Sequence, residues 1–252
     1  MSEPRPATFR DVRRFSELGS TNAWLLEAAA SGVPEGTVVV ADRQSAGRGR
    51  RGRRWDSAPG SGLLASLLFR PRLEPQDLWC VAALGTLAAR DAIGAAAGVT
   101  VGVKWPNDLV ADDAKLAGVL SETRGVGTDD LAVVFGIGIN LHWPMPGRDA
   151  TEFDATCLDA VAARTVDREA LLEALLGAVE ARHPMLDDEA GRAQLLRELG
   201  ACTVTIGRRV RVELVDEAFT GTAVSLDPMG HLVVDADGGR RVVSAADVVH
   251  LR

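Results

Sequence analysis

The segment SAGRGRRGRRW, residues 45–55, sets five arginines (Arg48, Arg50, Arg51, Arg53, Arg54) among three glycines, on a chain whose formal net charge is −7. Arginine presents a planar fork of donors that matches phosphate or carboxylate oxygens, and glycine lets backbone N–H groups approach the same anion. The chemistry open to such a loop is to clamp a small anion and to become ordered around it, with Trp55 as an anchor or lid. The plainer reading is a solvated surface loop. A nucleic-acid surface fits less well. No aromatic residues interleave with the arginines as stacking platforms, and a pI of about 5.2 leaves no broad basic face for a polyanion.

A second stretch, KWPNDLVADDAKLAG (104–118), holds the chain's only lysines, Lys104 and Lys115, among 28 basic residues. Lysine is a compact point charge on a flexible stem, so a position that resists the arginine bias suits a task the planar fork does not. Pro106 fixes a turn that holds Asn107 and Asp108 at a strand end. Lys115 facing an anion in a cleft, with Gly118 leaving room for a ligand against the backbone, is the functional reading; a strand–turn–hairpin is the structural one. GSTN (19–22) reads as a helix N-cap or as small polar groups binding a ligand at a helix N-terminus. GIGIN (136–140) reads as a buried strand, or as one whose glycines give a planar ligand access to the backbone, with Asn140 as a polar contact.

The elements that must position these residues follow from pattern. A capped helix is expected over 19–32, strands over 36–42 and 62–70, a long helix over 75–98, and a strand over 101–105. A hairpin over 108–124 turns at Asp112 and Asp113, and a buried strand covers 131–141. Helices follow at about 167–183 and 189–199. After Gly200 the character changes to short alternating runs between Asp-Pro-Met-Gly and Asp-Gly-Gly turns, which suggests a small barrel. The boundary is placed at 199/200, giving units 1–199 and 200–252.

Taken in order, STN (20–22), QSAGRGRRGRRW (44–55), KWPNDL (104–109), KLAGVLSE (115–122) and GIGINL (136–141) resemble the biotin protein ligase family over nearly the whole chain. The resemblance implies an α+β catalytic domain of the class II aminoacyl-tRNA synthetase type, with a mixed, largely antiparallel sheet, plus a small C-terminal SH3-like β-barrel. It implies activation of biotin by Mg2+-ATP to biotinyl-5′-AMP, then transfer to one lysine of the biotin carboxyl carrier protein or domain of acetyl-CoA carboxylase and other biotin-dependent carboxylases. Lys115 and Arg50 are the expected catalytic cations. Ser20, Thr21, Asn22, Gln44, Arg48, Gly49, Arg50, Lys115 and Gly118 are expected at biotin. Arg50, Arg51, Trp55, Lys104, Asn107 and Asn140 are expected at the nucleotide, with Asp108 near its Mg2+ and no resident metal. A lipoate ligase is the nearest alternative, but its glycine-rich segment is written differently. Ala246-Asp247 stands where the family often has Gly-Glu, which leaves a role of the tail in carrier or nucleotide contact in question.

The totals narrow the partners. Fewer than twenty residues precede Ser20, so no N-terminal DNA-binding domain and no specific DNA binding are expected. No run of about 18 uninterrupted apolar residues suggests a membrane span. Cys80, Cys157 and Cys202 are scattered, which fits reduced thiols in a cytoplasm and gives no zinc or disulfide framework. A homodimer is compatible with the family.

Overall fold

The computed structural model describes residues 8–142 and 155–251. Seven strands form the larger sheet: β1 (Asp11–Leu18), β2 (Thr37–Gln44), β3 (Gly62–Phe69), β4 (Gly102–Lys104), β5 (Asp108–Ala111), β6 (Ala114–Arg124) and β7 (Ala132–Asn140). Their order is β1-β2-β3-β7-β6-β5-β4, with β1 parallel to β2 and every other neighbour antiparallel. The sheet is therefore mixed. β1 is not foreseen from the sequence. DVRRFSEL is charged because it is an edge strand, half-buried and paired only with β2.

Side-chain alternation assigns the two faces. Val39, Leu68 and Val134 pack with Leu25 and Ala29 of helix α1 (Thr21–Ala30). Val38, Val40, Leu67, Phe135 and Ile137 point the other way, into a core shared with α2 (Trp79–Ala97) and α4 (Arg168–Arg182). The segment Pro75–Ala97 is apolar and long enough to cross a membrane, yet 67% of its most apolar window is buried inside the protein. Its apolarity is that of a core helix. Gly98 ends it in the left-handed conformation, with φ 72°. A short helix α3 (Leu158–Ala162), also unforeseen, precedes α4. The hairpin turns where the sequence places it: Asp112 and Asp113 have φ of 48° and 65° between β5 and β6.

Helix α5 (Glu189–Cys202) runs through the expected boundary at 199/200. Thr203 then pairs in parallel with Val103, which covers the β4 edge of the sheet. The second sheet is antiparallel, ordered β11-β10-β9-β8-β12, from β8 (Arg209–Glu213), β9 (Ala218–Leu226), β10 (Leu232–Ala236), β11 (Gly239–Val243) and β12 (Asp247–His250). Its core of Val210, Val212, Ala223, Leu232, Val234, Val243 and Val248 is completed by Trp105, a residue of the first unit. The two sheets thus share an apolar side chain taken from the segment that the sequence marks for chemistry.

Candidate active site

The sheet face that carries α1 changes character halfway along β7. Val134 packs on α1, but the next residues on that face are Gly136 and Gly138. Gly118 of β6 pairs directly with Gly138, so the floor beyond α1 is bare backbone. A cavity of about 290 Å3 opens over this floor. Four walls close it: the start of α1, the arginine loop, the turn from Lys104 to Asp108, and Asp247, Val248 and Val249 of β12. The glycine spacing is what makes room. A Cβ at Gly136 would lie 2.0 Å from Asn22 Oδ1, and one at Gly138 would lie 2.5 Å from the Trp55 indole. Gly138→Ala is expected to displace Trp55 and weaken ligand binding about tenfold or more, with a fall of a few degrees in the thermal midpoint from overpacking. Titration calorimetry that finds unaltered affinity would show that the indole does not need the glycine floor.

The start of α1 is held by buried polar bonds. Ser20 caps the helix, accepting from the Ala23 N–H at 3.4 Å. The Thr21 N–H and hydroxyl approach Gln44 Oε1 at 2.8 and 3.1 Å. Ser66 Oγ lies 2.7 Å from Thr21 Oγ1 and donates to Asn22 Oδ1 at 2.6 Å. Asn22 Nδ2 donates to the Leu120 carbonyl and to Glu122 Oε2. Both N–H groups of the Asn22 amide are therefore taken up within the protein, which fixes this wall of the cavity. Ser66 and Glu122 were not singled out from the sequence. A lone hydroxyl in the apolar strand GLLASLLF was the readable signal, since a buried polar group needs a partner.

The arginine loop is organised by the protein's own anions. Arg48 donates to Glu122 Oε2 at 2.9 Å. Arg51, with φ 54° inside a 3-10 turn over Arg50–Gly52, donates to the Glu213 carbonyl and to Asp247 Oδ2, each at 3.1 Å. Arg53 pairs with the same Asp247 carboxylate. Arg54 donates to the Ser45 carbonyl and pairs with Asp56. These contacts offset the mutual repulsion of the cations without an external ligand. Arg50 is the exception: among the described residues no hydrogen bond or ion pair takes up its guanidinium, which borders the cavity. Burial pushes its pKa down, opposed by the more distant Asp247 and Asp108. A desolvated cation without a counter-ion is the signature of a site that expects an anion.

Lys115 Nζ lies 2.7 Å from Asp108 Oδ1 and 5.4 Å from the centroid of the Trp55 ring. Trp55 Nε1 is buried with no hydrogen-bond partner among the described residues. Asn107 Nδ2 donates to the Val119 carbonyl, which ties the turn to β6.

Of the residues singled out in the sequence, Ser20, Thr21, Asn22, Gln44, Arg48, Gly49, Arg50, Trp55, Lys104, Asn107, Asp108, Lys115 and Gly118 all line this one cavity. Two are not brought to its lining. Asn140 is 8% exposed and donates to the Thr156 carbonyl. Arg51 faces the C-terminal sheet. Conversely, Glu213 and Asp247 reach the cavity from that sheet; no local pattern marks Glu213, and Asp247 stands out in the sequence only as part of a departure from the family's Gly-Glu. Among the described residues no group of three or more His, Cys, Asp or Glu side chains is placed to hold a metal ion.

Comparison with known proteins agrees with this geometry. Residues 16–140 match the Biotin/lipoate A/B protein ligase family, and residues 205–251 match the Biotin protein ligase C terminal domain. The chain is 36% identical to the Biotin--[acetyl-CoA-carboxylase] ligase of Mycobacterium tuberculosis, over 97% of this chain and 90% of that protein. It is 33% identical to the Bifunctional ligase/repressor BirA of Bacillus subtilis, over 92% of this chain and 71% of that one. Among solved structures, the biotin protein ligase of Aquifex aeolicus in complex with biotin and ATP superposes with a TM-score of 0.79 at 25% identity, covering 96% of this chain and 99% of that chain.

Proposed function

The chain belongs to the biotin protein ligase family, and from that premise we infer that its cavity activates biotin with ATP and passes it to the biotin carrier of acetyl-CoA carboxylase. The observation that carries this reading is Arg50, a half-buried guanidinium with no hydrogen bond or ion pair among the described residues, lining the same cavity as Lys115 and Lys104 over a glycine floor.

In the first step the biotin carboxylate attacks the α-phosphorus of ATP. The bond between the α-phosphorus and the bridging oxygen breaks, pyrophosphate leaves, and biotinyl-5′-AMP remains. Two anions must meet, so fixed cations lower the barrier by offsetting their repulsion and the charge on the phosphoryl oxygens. Lys115 and Arg50 take that role. Ser20, Thr21, Gln44 and Gly118 surround biotin, with Asn22 fixing the wall behind them and Arg48 and Gly49 at its mouth. Trp55, Lys104 and Asn107 lie toward the nucleotide; Arg51 and Asn140 act from outside the lining, through the loop and through Thr156. Mg2+ fits as a companion of the phosphates, because that ion commonly takes one or two carboxylates plus substrate oxygens. Asp108 is the carboxylate in place. In the second step a neutral carrier lysine attacks the acyl carbon and AMP leaves. Until then the covered cavity keeps water from the anhydride.

The catalytic unit over 1–199 is of the class II aminoacyl-tRNA synthetase type and the unit over 200–252 is an SH3-like barrel; the mixed sheet and the separate antiparallel sheet support this. Pairing as a homodimer and residence in the cytoplasm belong to the same reading. Specific DNA binding does not, since four of the five loop arginines are bound to groups of the protein itself.

Native mass spectrometry after incubation with biotin, ATP and Mg2+ tests the proposal. A retained species of biotinyl-adenylate mass, discharged by an added carrier domain, is the expected result. No adenylate with biotin, but one with lipoate, would replace the substrate and keep the chemistry.

A further inference from the structure

The strand β12 grips the site at both ends. At its start Asp247 holds Arg51 and Arg53 of the arginine loop. At its end His250 Nε2 lies 3.0 Å from Thr205 Oγ1, and the same hydroxyl accepts the Trp105 N–H at 3.0 Å. Thr205 is fully buried. Trp105 separates Lys104 from Pro106 and Asn107, all three of which line the cavity. Its indole sits in the core of the second sheet and donates to the Gly230 carbonyl at 3.1 Å. The backbone of the Lys104–Asp108 turn is thus suspended from the C-terminal unit by one indole and one hydroxyl.

Trp105 N–H donates to one lone pair of Thr205 Oγ1, which leaves the hydroxyl proton and a second lone pair for His250 Nε2, so the contact forms with either neutral tautomer of the imidazole. The groups around the imidazole keep it neutral. Burial first, then Lys104 and Arg208, push its pKa down to about 4, with Asp113 opposing them. Arg208 is itself tied to Asp113 at 2.8 Å, which keeps the hairpin turn against the same corner. From Asp247 to His250 is three residue steps, about 10 Å of extended chain. One short strand therefore spans from the arginine loop to the turn that carries Lys104 and Asn107.

We propose that Thr205 and His250 are positioning residues for the nucleotide side of the site, fixing Lys104 and Asn107 through the Trp105 backbone N–H at a set distance from the arginine loop. The proposal rests on the reading of the cavity as an ATP-dependent biotin-activating site. It reaches further, because it assigns a role in ATP binding to two residues of the C-terminal unit that touch neither substrate. Among the described residues the start of α1 and Gln44 have no bond to this hydrogen-bonded chain, and the glycine floor meets the turn at Gly118, which pairs with Asp108 at the end away from Trp105, so biotin contacts should respond less than nucleotide contacts.

Thr205→Val removes the hydroxyl and keeps the branched shape. It is expected to raise the KM for ATP about tenfold in pyrophosphate release, the loss of one oriented contact, while the KM for biotin stays within about twofold. Thr205→Ser should restore the parent value. His250→Gln, which offers an acceptor in place of Nε2, should do better than His250→Leu. A merely structural role would lower the thermal midpoint without separating the two KM values. If Thr205→Val does not fold, the two half-buried His250 variants carry the same readout. An ATP KM that is unshifted in Thr205→Val, or in His250→Leu where only those variants fold, overturns the positioning role, as does an equal shift for biotin. A parent chain that releases no pyrophosphate with biotin and ATP would overturn the underlying reading as well, so the two failures are distinguishable.

Discussion

Replacing Lys115 by alanine is expected to slow adenylate formation by about two orders of magnitude or more, with the thermal midpoint within a few degrees of the parent. A hydrogen bond to a charged group contributes about 1.5–3 kcal/mol net, which alone is roughly one to two decades in rate. A second loss adds to it. Lys115 Nζ is 2.7 Å from Asp108 Oδ1, so the substitution leaves that carboxylate uncompensated where phosphates must enter. The stability cost is small because the pair is partly open to solvent, with the lysine side chain 36% exposed. A further variant tests the type of charge. Lys115→Arg should not restore the parent rate, since a planar fork cannot take the place of a point charge on a flexible stem. Pyrophosphate release within about threefold of the parent in Lys115→Ala would remove the lysine from the adenylation step.

Much of this site was legible because it is built from local chemistry. The alternation of β7 puts Gly136 and Gly138 on one face and Phe135, Ile137 and Ile139 on the other, so the bare floor can be read from five letters. The hairpin that brings Lys115 beside Asp108 was legible from Asp112 and Asp113. What was not legible depends on contacts distant in sequence. β1 carries Arg13, Arg14 and Glu17 and becomes a strand only by pairing with β2. Trp105 reads as part of a catalytic segment, yet its indole fills the core of the other sheet. Asp247 is one acidic residue in a tail whose divergence from the family pattern put its role in question; the fold brings it to Arg51 and Arg53. Asn140 is a different case: a polar residue at a strand end in a binding motif suggests a ligand contact, and the fold gives its amide nitrogen a structural bond to the Thr156 carbonyl.

Arg50→Ala is expected to move stability and function in opposite directions. In the free protein the guanidinium is desolvated without a hydrogen bond or ion pair among the described residues, and burial already disfavours its charge. Removing it costs no hydrogen bond or ion pair among the described residues; relief of the desolvation and of the repulsion from Arg51 and Arg53 is set against the lost attraction to Asp247 and Asp108, so the thermal midpoint should stay close to the parent's or rise. With biotin and ATP bound the same side chain gains an anion, and its loss should speed adenylate dissociation by about one to two decades. The neighbouring arginines make the control. Arg48→Ala would strand Glu122, which also holds Asn22, and should lower the midpoint instead. Measuring melting with and without adenylate in the same series reads both signs at once. The parent should gain more from the ligand than Arg50→Ala, by the difference in affinity. If Arg50→Ala melts lower when free and holds adenylate as tightly as the parent, the guanidinium is a structural brace of the loop, and the anion clamp must be sought in Lys104 and Lys115.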